Sequence, residues 1–246
     1  MNADHAAQLR LLDLQDADTA LAQLAHRRRN LPELAVLAER GDRAATLTNQ
    51  IVDAETACAD IGDEQRRLEH EVDLVRMRAT RDERRMQSGG LPAKEIEQLQ
   101  HEVTSLARRQ SSLEDDLLEV MEHHEQADSS LARLTAQRVA LDAERAELET
   151  KRDAVFVEID ADISARTVQR VGIAAELPID LITLYERARE HGGGIGAARL
   201  HQRRCEGCRI ELPGSELSAL RAAAPDEVVR CDNCRRILVR TDDAGL

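Results

Sequence analysis

Four cysteines near the C-terminus are the residues best placed to do chemistry. They form two C-x2-C pairs, Cys205-Glu206-Gly207-Cys208 and Cys231-Asp232-Asn233-Cys234, with 22 residues between them. Each pair can offer two thiolates from one tight turn, and four thiolates complete the tetrahedron that zinc prefers in closed structural sites. One structural zinc ion (Zn2+) is therefore expected, held by Cys205, Cys208, Cys231 and Cys234. Four cysteine ligands leave no open position for a catalytic water. A redox C-x-x-C would need a strand–helix context and no second pair. By ligand type alone, rubredoxin-like iron or an iron–sulfur cluster fits the same thiolates. Gly207 and Asn233 hold the same third place in their pairs, and both residue types tolerate positive φ. The sequence thus predicts that they make the two turns.

Arginines crowd this site. Arg203, Arg204, Arg209, Arg235 and Arg236 flank the cysteines, with Arg199 and Arg240 nearby. They have two readings: compensation of the formal −2 of a four-thiolate zinc centre, or a phosphate-binding face for DNA or RNA. No aromatic residue follows Tyr185, so the segment cannot stack bases as single-strand binders do.

The rest of the chain must position this site. Of 246 residues, 33% are charged and 1% aromatic, with one Phe, one Tyr and no Trp. Aromatics supply much of the buried area of an ordinary core. Periodic leucines among Ala, Glu, Arg and Gln are instead the composition of long helices and coiled coils. The net charge is −13. Residues 1–198 hold 25 basic against 39 acidic residues, and residues 199–246 hold 9 against 8. An acidic helical region repels nucleic acid. There is no apolar signal-peptide core and no apolar run of membrane-helix length. A cytoplasmic protein without membrane contact is expected, where thiols stay reduced and paired C-x2-C motifs read as metal sites.

Leu47, Ala54, Ile61, Leu68 and Val75 recur every seven residues, with Ile51, Cys58, Gln65 and Val72 at the complementary offset. This is a coiled-coil seam. Gln87-Ser88-Gly89-Gly90-Leu91-Pro92 breaks it. A second helical pattern then runs from Leu99 through Leu113, Leu117, Leu131 and Leu141 to Ile159. Folding back at Gly89 pairs residues whose numbers sum to about 178, so that Val72 meets Leu106 and Ile61 meets Leu117. A monomer or weak homodimer follows. Breaks are expected near 30–43, from Pro32 and Gly41, and near Gly172. Pro178 opens a short helix, and the glycines of 192–196 read as a hinge. The expected architecture is mainly α: a long antiparallel coiled-coil hairpin over 1–172, a short helix and Gly-rich linker over 173–196, and a small C-terminal zinc ribbon (β) over 197–246.

Other candidates have plainer readings. Cys58 is a small apolar seam residue. His123, His124 and Glu125 point about 100° apart on one helix and cannot share a metal. Gln65, Gln110, Arg138, Arg145 and Arg152 at seam positions fix register or end tight pairing. The glycines lack the lysine of a phosphate-binding loop. No catalytic constellation stands out.

Leu184-Tyr185-Glu186-Arg187, the glycine run and the paired cysteines together resemble a bacterial family, the C4-type zinc-ribbon proteins with an N-terminal coiled-coil hairpin. Lys94–Gln100 with Glu102 resembles the family's hairpin tip, and Leu11–Asp18 and Leu31-Pro32-Glu33 also fit. The chain has only two lysines, Lys94 and Lys151, and its Arg-rich composition resembles that of an actinobacterial, mycobacterial member. The resemblance implies a non-enzymatic protein. Members are described as nucleic-acid-binding zinc ribbons, and relatives serve flagellar regulation and type III secretion as protein-binding adaptors. A mycobacterium would lack flagella and injectisomes, so those partners do not carry over. The expectation is an adaptor that meets a protein partner through coiled coil or ribbon, with DNA or RNA binding by the Arg-rich ribbon as the alternative.

Overall fold

The computed structural model describes all residues from Met1 to Leu246. Five helices and three strands follow in the order α1 (His5–Arg29), α2 (Pro32–Gln87), α3 (Ala93–Ala175), α4 (Ile179–His191), β1 (Ala197–His201), β2 (Arg204–Cys205), α5 (Gly214–Ala222) and β3 (Ile237–Arg240). They form two compact units. One is Ala35–Glu149; the other joins Met1–Leu34 to Thr150–Leu246.

The unit Ala35–Glu149 is the expected helical hairpin. Gly89 and Gly90 turn the chain with φ of 73° and 81°, a conformation nearly free only for glycine. Leu68, Val72 and Leu113 are buried together, with Val75, Leu117 and Val120 packed against them. Ala44, Leu47 and Leu141 form a second cluster with Leu134. These groupings correct the register. Leu68 with Leu117, Val72 with Leu113 and Ala44 with Leu141 each sum to 185, one heptad beyond 178. A sevenfold repeat matches seam to seam equally well after a shift of seven, so the pattern alone cannot choose. Ion pairs also cross between the two arms. Glu71 meets Arg109 at 3.5 Å, and Arg76 meets Glu114 at 3.1 Å. Gly62 faces His124 across the seam, the ring lying 3.5 Å from where a Cβ on Gly62 would be.

The break expected near 30–43 is present at Pro32, and the one expected near Gly172 falls a few residues later, but neither glycine makes a break: Gly41 lies inside α2 and Gly172 inside α3. A single glycine costs only about 1 kcal/mol in a helix, which neighbours can offset. The breaks are at Asn30-Leu31, ahead of Pro32, and at Glu176–Pro178. Proline lacks the N–H and fits only a first turn.

In the other unit, α1 packs with the end of α3, with α4 and with the strands, rather than with the hairpin seam where the expected boundary at 172 had put it. Leu11, Leu14, Ile173, Leu181, Tyr185 and Ile237 share this core. The sheet order is β2-β1-β3, with β1 antiparallel to β2 and parallel to β3. A separate cluster under the cysteines contains Leu200, Leu212, Leu217, Leu220 and Leu238. Ala3 N–H donates to Asp226 O at 2.7 Å and Val228 N–H to Met1 O at 3.0 Å. The N-terminus is thereby tied to the ribbon.

Candidate metal centre

The ends of β1 and β3 frame the cysteines. β2 carries Cys205, and Cys231 precedes β3. The two knuckles have the same backbone pattern. Cys205 N–H donates to Ile210 O and Arg209 N–H to Cys205 O; Cys231 N–H donates to Arg236 O and Arg235 N–H to Cys231 O. The Cys205 sulfur also accepts from the N–H groups of Gly207 and Cys208, and the Cys231 sulfur from those of Asn233 and Cys234. Such paired amides are a preformed cradle for a thiolate.

The positive φ that these turns need is at neither Gly207 nor Asn233. It is at Arg209 (61°) and Arg235 (63°), the residues just after each second cysteine. There the chain must reverse to return its N–H to the first cysteine. Gly207 is demanded by space instead. A Cβ on it would lie 2.8 Å from Arg236 Cδ and 2.9 Å from Ala198 Cβ.

The four sulfurs all lie within 4.8 Å of one another. Cys205 Sγ and Cys234 Sγ are 3.8 Å apart, and Cys208 Sγ and Cys231 Sγ 3.9 Å. Thiolates around a zinc with bonds of about 2.3 Å would be about 3.8 Å apart, so the cage fits a single tetrahedral ion. One structural zinc belongs here. Its chemistry is to hold the two knuckles together, and no coordination position remains for substrate. Without an ion the thiols are poorly matched. Burial pushes Cys205 and Cys231 up. Burial would also raise Cys208, but N–H from Ile210 and neighbouring polar groups bring it down to about 7. A zinc ion removes that conflict by taking all four as thiolates.

The arginines divide by role. Arg236 is spent on the backbone: its guanidinium donates to Gly207 O at 2.8 Å, Ile195 O at 3.1 Å and Gly192 O. It links the first knuckle to the glycine loop and cannot also face a phosphate, which corrects its place in the expected binding face. Arg240 caps α5 and the loop after it through the carbonyls of Leu220, Ala223, Ala224, Pro225 and Glu227. Arg203, Arg204, Arg209 and Arg235 are exposed. Arg203 Nε still donates to Gly245 O at 3.3 Å.

The glycine run is a pinned loop rather than a hinge. Gly196 N–H donates to Gln15 Oε1 at 2.7 Å, and Gln15 Nε2 donates to Gly194 O at 3.1 Å. A Cβ on Gly196 would come within 2.6 Å of Tyr185 O.

Two features escaped the sequence reading. One is a buried polar network. Asp18 of α1 accepts from Arg170 Nε at 2.6 Å and Tyr185 OH at 2.7 Å, and Arg170 also pairs with Glu186. Asp18 sits in the Leu11–Asp18 motif, but its partners lie over 150 residues away. The other is an exposed apolar stripe on α3. Val157, Val168 and Val171 are 71%, 71% and 60% exposed. Eleven residues make about three helical turns, so the three valines share a face, opposite the buried Ile159 and Ile173. Of the other candidates, Cys58 is buried on the hairpin seam, and its thiol is pushed up by burial and by Asp128. No helix is long and apolar enough to cross a membrane.

The comparisons agree with this architecture. Residues 14–193 match the CT398-like coiled coil hairpin domain, and residues 204–238 the C4-type zinc ribbon domain. An uncharacterized protein of Mycobacterium tuberculosis is 41% identical over 245 residues, 98% of each chain. A solved structure from Mycobacterium smegmatis has a TM-score of 0.88 at 36% identity, covering 98% of this chain and 100% of that one. CT398 from Chlamydia trachomatis shares the fold, with a TM-score of 0.73 at 18% identity over 96% and 98% of the two chains. The mycobacterial likeness of the composition is thus matched by mycobacterial relatives. With its hairpin, its ribbon and its four clustered cysteines, the chain belongs to the CT398-like coiled-coil hairpin family carrying a C4-type zinc ribbon.

Proposed function

We propose that the protein is a non-catalytic adaptor whose zinc-locked ribbon unit presents a helical face to a protein partner in the cytoplasm. The observation that carries this reading is the valine stripe of α3. Contiguous exposed apolar surface is a mark of interaction sites, and such a stripe is what an amphipathic helix lays itself against. Asp153 and Glu158 border the stripe, so the partner helix that fits carries basic flanks. The closed thiolate cage supports a structural rather than a chemical role for the metal.

The test compares the full-length protein with a Val157→Glu, Val168→Glu, Val171→Glu variant. All three side chains are solvent-facing, so zinc content and melting should change little. Proteins that copurify with the wild type should be lost from the variant. If the same proteins copurify undiminished, the stripe is not the docking face and the reading fails.

A second reading, binding of DNA or RNA, is favoured by one observation: Arg203, Arg204 and Arg209 are exposed and none forms an ion pair with a carboxylate within 4.0 Å. Phosphate contacts are strongest at low salt. Undetectable affinity for DNA and RNA there would eliminate this reading.

A further inference from the structure

The second knuckle and α4 enclose a cationic pocket. Arg187 and His191 come from α4, and Arg230 and Arg235 from either side of Cys231 and Cys234. Leu184 and Ala188 add an apolar wall, Cys234 borders the cavity, and its volume is about 370 Å³. No carboxylate lines it, although acidic residues outnumber basic ones by 47 to 34 in the chain.

The geometry points to a binding site for a small phosphorylated anion, a phosphate monoester of mononucleotide size. Three guanidiniums exceed the formal −2 of the neighbouring zinc–thiolate centre, so charge compensation alone leaves a surplus. Arg230 uses Nε on Arg235 O at 2.9 Å, which fixes the side chain and leaves its two terminal nitrogens for a ligand. Guanidinium forks match phosphate oxygens in pairs. His191 is likewise oriented, with Nδ1 donating to Arg187 O at 2.7 Å. The contrast with Arg236 and Arg240 is direct: those two are consumed by backbone carbonyls, whereas Arg187 and Arg235 line the cavity and form no ion pair with a carboxylate within 4.0 Å. A cavity of this size suits a mononucleotide-sized ligand. The absence of an aromatic wall argues against a base-stacking strand.

The probe is adenosine monophosphate, titrated by calorimetry into the zinc-loaded full-length protein at low salt, with adenosine, inorganic phosphate and a single-stranded oligonucleotide as comparisons. Adenosine monophosphate should bind at least roughly tenfold more tightly than adenosine, and inorganic phosphate should compete. Arg187→Gln should weaken binding roughly tenfold, the size expected for one charge-assisted contact, and Arg187→Lys should restore part of it. Arg221→Gln, outside the pocket, should leave it unchanged. Zinc content and melting temperature report whether each variant is folded. The inference is overturned if the monophosphate does not bind, if binding is indifferent to both Arg187→Gln and Arg235→Gln, or if only the oligonucleotide binds. None of these outcomes depends on the valine stripe, so the adaptor reading is tested separately.

Discussion

Tyr185 OH donates to Asp18 Oδ2 at 2.7 Å across 167 residues of sequence. This bond joins α4 to α1 inside the ribbon-bearing unit. Arg170 of α3 donates to the same carboxylate, so three helices meet at one buried acid. A buried carboxylate is costly unless paired and hydrogen-bonded, and here it is both.

Tyr185→Phe keeps the ring and removes the bond, and should destabilise this unit by about 1 kcal/mol. It should also change the alkaline limb. Burial, and then Asp18, raise the tyrosine above its ordinary value of 10.0. Above about pH 10 the unfolded chain releases this proton while the folded chain keeps it. The contribution is therefore full below that pH and lost as pH rises further. Urea unfolding at pH 8 and 10.5 should show a steeper loss for wild type than for Tyr185→Phe; parallel losses would contradict the assignment.

Removal of the metal should act locally. Cys208→Ser, or chelation of the wild type, should abolish the stoichiometric zinc and expose the amides of residues 197–240 to hydrogen exchange. The amides of 44–75 and 113–141 should keep their protection, because their cores are apolar clusters of the hairpin itself. Loss of protection along both units at once would show that the hairpin depends on the metal.

Gly207→Ala tests the space argument. Its Cβ would meet Arg236 and Ala198 below 3.0 Å, and overpacking of this kind costs about 1–3 kcal/mol. Gly214→Ala, with nothing within 4 Å, should be neutral or slightly stabilising. Thermal melts and zinc competition with a chromophoric chelator distinguish the two.

The hairpin register is open to crosslinking. Val72→Cys with Leu113→Cys should form a rapid crosslink within one chain, since both residues belong to one buried cluster. Val72→Cys with Leu106→Cys, the pairing of the sum of 178, should react far more slowly. The reverse order would restore that register.

The sequence by itself determined the parts whose causes are local. The C-x2-C spacing specifies a four-thiolate cage, the heptads specify a paired seam, and Gly89-Gly90 specifies the turn, each through a few neighbouring residues. The tertiary structure decided what depends on distant partners. A repeat of seven is blind to a shift of seven, so the buried clusters had to fix the register. Gly41 and Gly172 are tolerated because long helices spread the cost of one weak residue. Gly192–Gly196 became a pinned loop through Gln15 and Arg236, and Asp18 found Tyr185 and Arg170, because those meetings require the N-terminal helix to fold back beside the ribbon. No local pattern encodes that return; the burial of Leu11 and Leu14 against Ile173, Leu181 and Ile237 does.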